Sequence, residues 1–119
     1  MIAGKVCLTA LAALQLGTAA PSAHMSKPTA NTSCDVTATF SWQGYSTAAK
    51  AVIKMTDEAT HFTVNESHAA KASGKLTFVV PAIANPTKTT LQSVGQLYNG
   101  KGARIAQATN TANLGCIFG

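Results

Sequence analysis

"STAAKAVIKMTDEA", residues 46–59, is the stretch whose reading decides the fold. Read as a helix, it places Ala49, Val52, Ile53 and Ala59 near a 3.6-residue spacing, with Ser46 as a cap and Lys50, Lys54, Asp57 and Glu58 on the other side. Read as a strand, it centres on the β-branched pair Val52 and Ile53 and sits between segments that alternate with period two. The strand, over about residues 50–56, makes the chain all-β; a helix near 46–59 would make it α+β. The neighbouring segments favour the strand.

Those neighbours are legible one by one. In "CDVTATFSWQGY", residues 34–45, Val36, Ala38, Phe40 and Trp42 point one way and Asp35, Thr37, Thr39 and Ser41 the other, the pattern of a half-buried strand. In "HFTVNES", Phe62 and Val64 oppose His61, Thr63 and Asn65. In "KLTFVVP", Leu76, Phe78 and Val80 share a face and Pro81 ends the run. "TLQSVGQLYNGKGARIAQA", residues 90–108, reads as two strands around "NGKG", because Asn and Gly accept the positive φ of a tight turn. "ANLGCIFG", residues 112–119, closes the chain as a last strand. About seven short strands separated by turn signals predict an antiparallel β-sandwich with the count and spacing of immunoglobulin or fibronectin type III domains. The immunoglobulin hallmarks are missing. Trp42 follows Cys34 too closely to lie on the next strand, and Leu114 stands two residues before Cys116 where a corner tyrosine is expected.

The chain has 119 residues. Its start, "MIAGKVCLTALAALQLGTAAPSA", carries one lysine, an apolar run from Val6 to Leu16 and then small residues, the pattern of a secretory signal peptide over residues 1–19, with the cut expected after Ala19 and no later than Ala23. The run is too short for a transmembrane segment, which needs roughly 20 apolar residues. "PSAHMSKPTANTS" has no apolar period, so residues 20–33 read as a flexible arm preceding one domain over 34–119. The expected location is outside the cell, or in a bacterial periplasm.

Cys7 leaves with the leader, and the remaining pair, Cys34 and Cys116, is expected to form a disulfide in an oxidising compartment. Without Lys5 the nine basic residues become eight against four acidic ones, a net charge of +4 with histidines neutral. The cations are scattered, so a nucleic-acid interface is not expected.

No nucleophile motif, phosphate loop or helical metal pair is present, so no catalytic residue and no cofactor are assigned. Glu66 and His68 share a strand face and are the weak candidates for a divalent metal; with His61 they are the set an exported metal protein or small enzyme would use. A cut after Ala23 would make His24 the N-terminal residue, resembling the histidine brace of copper monooxygenases, though without the other motifs of those enzymes. Asn31 in "NTS" and Asn65 in "NES" fit the N-glycosylation pattern. Parity turns Trp42 into the core, which leaves Gln43, Gly44 and Tyr45, beyond the strand, as the expected ligand contact. The function expected from these residues is non-enzymatic binding to a protein or glycan partner.

Overall fold

The computed structural model describes residues 20–118, which form two packed antiparallel sheets and contain no helix. The eight strands are β1 (Ser22–Met25), β2 (Thr29–Ala30), β3 (Asp35–Gln43), β4 (Ala48–Asp57), β5 (Phe62–Ala69), β6 (Gly74–Pro81), β7 (Ile83–Asn99) and β8 (Arg104–Ile117). The stretch at 46–59 is a strand. Ala51, Ile53, Met55 and Asp57 are buried while Val52, Lys54 and Thr56 face outward, because alternate side chains of a strand take opposite faces.

In the first sheet β3 is central. β6 pairs its whole length, from Asp35 opposite Pro81 to Trp42 opposite Gly74. β1 and β2 share the other edge in line, against Phe40–Gln43 and Val36–Thr37. The second sheet runs in the order β5, β4, β7, β8. β1 and β2 pack over β8, β3 over β7, and β6 over β4, so β5 overhangs the edge of the first sheet. Phe62 on this overhang is accordingly 48% exposed.

Residues 20–33 are not the flexible arm the composition predicts. Met25 and Pro28 are buried, and the Ser26 Oγ accepts from the Thr39 backbone N–H at 2.9 Å or less, while the Ser26 carbonyl accepts from Ser93 Oγ at 2.9 Å. A four-residue strand spends too few apolar residues to show a period. One buried methionine and ladder bonds to β3 hold it. The separate last strand expected at 112–119 is likewise the end of one long strand, β8. Its inward residues are mainly alanines, Ala106, Ala108 and Ala112, which give little hydrophobic contrast against Gln107, Thr109 and Thr111.

The aromatic pair of β3 fills the core. Phe40 and Trp42 are buried with ring centroids 5.2 Å apart, and the Trp42 indole N–H donates to the Lys71 carbonyl at 2.9 Å. Phe40 lies against Gly95 of β7 so closely that a Cβ there would overlap its ring. The Cys34–Cys116 disulfide, with Cα atoms 5.7 Å apart, joins the two sheets at one corner. The chain crosses between the sheets at that corner through Ala82, whose N–H donates to the Cys34 carbonyl at 2.9 Å, while Ala84 pairs with Cys116. Cys34 has φ 59, an uncommon conformation for a side-chain-bearing residue. The Asn31 side chain supports it, its Oδ1 accepting from the Ser33 and Asp35 N–H groups at 2.9 Å each. Asp57 is buried with both oxygens used, accepting from the Ala59 N–H at 2.9 Å and the Phe118 N–H at 3.0 Å, which ties the end of β8 to the β4–β5 turn.

Candidate functional site

Along β4 the residues that face away from the core are Lys50, Val52, Lys54 and Thr56. The cross-strand register places Tyr98, Gln96, Val94 and Gln92 of β7 beside them. On the far side of β7, Arg104, Gln107, Thr109 and Thr111 of β8 continue the same rows, and on the far side of β4, Ala69, Ser67, Asn65 and Thr63 of β5 complete them. Strands lie about 4.8 Å apart, so this outer face is a four-strand platform roughly 14 Å across, with Lys50 and Lys54 about 13 Å apart along one strand.

Its polar groups hold one another in place. Gln96 Nε2 donates to Gln107 Oε1 at 2.8 Å, the Tyr98 hydroxyl donates to Gln96 Oε1 at 3.0 Å, and Arg104 Nη1 donates to Gln107 Oε1 at 3.0 Å. Thr56 and Thr63 share a 2.8 Å hydroxyl contact, and Thr90 Oγ1 donates to Asn113 Oδ1 at 2.8 Å. The Lys50 ammonium sits over the Tyr98 ring at 5.0 Å, an attraction between cation and π face. Gln96 is buried and spends its amide within this network, so the exposed Gln107 and the half-exposed Gln92 are the amides with bonds left to offer outward.

The charge on this face is one-sided. The chain has four acidic residues, and none lies here. Asp35 is on β3, Asp57 is buried, Glu58 is in the β4–β5 turn and Glu66 faces the overhang. Among the described residues the one ion pair joins His68 Nε2 to Glu66 Oε1 at 2.9 Å, leaving Lys50, Lys54 and Arg104 unpaired.

Of the residues singled out in the sequence, Asn65 lies on this face and the others fall elsewhere. Gln43 and Gly44 are exposed at the end of β3, with Gly44 at φ 81, but Tyr45 is half-buried against the core and Trp42 is inside it. No exposed aromatic pair exists there. The nearby depression, lined by Ser22, His24, Ser41, Trp42 and Gln43, holds about 110 Å³, below the range of small-molecule pockets. Glu66 and His68 do come together, both about half exposed. His61 is five positions from Glu66, about 16 Å along an extended chain, at φ 60 in the turn, and His24 is on the other sheet. Among the described residues no three His, Cys, Asp or Glu side chains gather where they could hold a metal. The amide of Asn31 is occupied in its turn, its Nδ2 also donating to Asp35 Oδ2 at 3.1 Å, whereas Asn65 stands exposed on the platform's edge strand.

The leader expected at 1–19 lies outside the described residues. No helix among those described is long and apolar enough to cross a membrane. No family model matches the chain, and neither does any curated protein or solved structure compared with it.

Proposed function

We propose that this chain is an exported, non-enzymatic β-sandwich module that binds a glycan through the outer face of its four-stranded sheet. The observation that carries the reading is the row of Tyr98, Gln107 and Arg104, hydrogen-bonded through the buried amide of Gln96, on an acid-free face. Sugar hydroxyls are both donors and acceptors, and fixed amides meet them without first being ordered, which lowers the entropic cost of binding. The disulfide supports export, since such bonds persist in oxidising compartments. The comparison with immunoglobulin and fibronectin type III domains is supported by the interleaved pairing of β3 with β6 in one sheet and β4 with β7 in the other. A shared architecture carries no function by itself.

A glycan array probed with the disulfide-bonded protein tests the reading. Retention of at least one glycan is expected, and the substitutions Gln92→Ala with Gln107→Ala are expected to reduce it about tenfold or more while the protein stays folded by circular dichroism, with a lowered thermal midpoint because the buried Gln96 amide loses its acceptor. An array with no signal, or a signal indifferent to both substitutions, removes the proposal.

The Glu66–His68 contact supports a second, narrower reading, a two-ligand site for a divalent ion. Calorimetry with zinc on the protein and on His68→Ala decides it: saturable heat lost in the variant supports the site, and absence of heat removes it.

A further inference from the structure

We infer that the glycan bound by this face is acidic, a polysaccharide bearing uronate carboxylates or sulfates, with its anionic groups held by Lys50, Lys54 and Arg104 and its hydroxyls by Gln92 and Gln107. The inference rests on the reading of the platform as a glycan surface and adds the charge of the ligand. Every carboxylate of the chain lies off the face, and the three cations on it have no acidic partner among the described residues. An unpaired cation on a flat polar surface is the complement of an anion, and a guanidinium reads a carboxylate or sulfate with two parallel donors. Arg104 is already aimed by its 3.0 Å bond to Gln107, and Lys50 by its seat over Tyr98.

The spacing separates an acidic glycan from other polyanions. A nucleic-acid groove combines closely set cations with aromatic faces on which bases stack. Here three cations are spread about 10 to 16 Å from one another, with amides and hydroxyls between them. The face's one aromatic ring, Tyr98, is covered by Lys50. An anionic membrane is met by clustered basic residues and an apolar element that inserts. The face has neither, since Val52 and Val94 are only half-exposed among polar neighbours.

The test compares two variants of equal net charge. In the first, Lys50, Lys54 and Arg104 become Gln; in the second, the exposed Lys27, Lys71 and Lys75, all away from the platform, become Gln. Polygalacturonate and heparin are the acidic probes, an uncharged galactan the neutral one, and single-stranded DNA the competing polyanion, all in about 0.15 M salt. The expected result is retention of polygalacturonate or heparin by the wild type and the second variant, at least tenfold weaker retention by the first, and weaker retention of DNA by all three. Equal losses in the two variants would mean attraction by net charge alone and would overturn the inference, as would DNA bound as tightly as the acidic glycan. Retention of the galactan by wild type and first variant alike would overturn the acidic ligand and leave the glycan-binding reading standing. Retention of no glycan, with both variants folded by circular dichroism, would overturn both.

Discussion

Phe40 and Gly95 meet across the two sheets, and the fit leaves no room for a methyl group between them. Gly95 is in an ordinary strand, so its role is close approach rather than an unusual backbone angle. Gly95→Ala is expected to destabilise the protein by about 3 kcal/mol, at the upper end of overpacking costs, because the ring and the backbone behind it must both shift. Urea denaturation measures this, and pairing the substitution with Phe40→Leu should recover part of the loss. A variant within about 0.5 kcal/mol of wild type would show that Phe40 is free to move away. The sequence marks Phe40 as a core residue through its parity with Val36, Ala38 and Trp42. It does not mark Gly95, because a glycine has no side chain to alternate. The platform residues were hidden for a related reason: Gln96 and Gln107 are eleven positions apart, and only the register around "NGKG" sets them side by side. Counting back from that turn would have paired the polar positions, though the extra residue at Tyr98 and Arg104 disturbs the count by one.

At the scale of the element, β1 shows how little sequence signal a structural strand needs. Four residues, "SAHM", lie in a Pro-, Ser- and Thr-rich stretch, and burial of Met25 with hydrogen bonds from Ser26 holds them in the sandwich. Met25→Ala is expected to cost about 2–5 kcal/mol, as for other buried methionines, whereas Lys27→Ala, on an exposed neighbour, stays within about 0.5 kcal/mol. Equal, negligible effects in a chemical denaturation series would return the segment to a loose arm. β3, β5 and β6 were legible because branched and aromatic residues alternate with polar ones along them. β8 was only partly legible, since alanine marks an inward position as well as leucine does in space but poorly in a hydropathy pattern. The exposure of β5 has a different origin. Its inward residues, including Phe62, Glu66 and His68, run past the edge of the smaller sheet, so parity alone misstates their burial.

For the whole molecule, the Cys34–Cys116 crosslink closes a loop over a separation of 82 residues. Chain entropy alone assigns such a loop about 4.5 kcal/mol, comparable with the net stability of a small domain. Replacing both cysteines with Ala is therefore expected to lower the unfolding free energy by roughly 3 to 4.5 kcal/mol in urea titration. A change of less than about 1 kcal/mol would mean that the sheets hold their corner without the bond. The pairing itself was legible from the count of cysteines left if the expected leader is removed. Its position at the crossing through Ala82, where the two sheets meet, was not, because that depends on the long reach of β7 and β8 beyond their hairpin.

The same bond fixes how the protein responds to being cut. Every strand from β3 to β8 lies within the covalent ring, and among the described residues only β1 and β2 lie outside it. A protease that nicks the exposed β4–β5 turn opens the chain without releasing a fragment, so the nicked and intact forms run together until a reductant is added. An incision between β2 and Cys34 leaves the N-terminal strands held by non-covalent contacts alone, so they separate on denaturation without a reductant. Damage to this domain is therefore recorded asymmetrically, silent over most of its length and visible at its beginning.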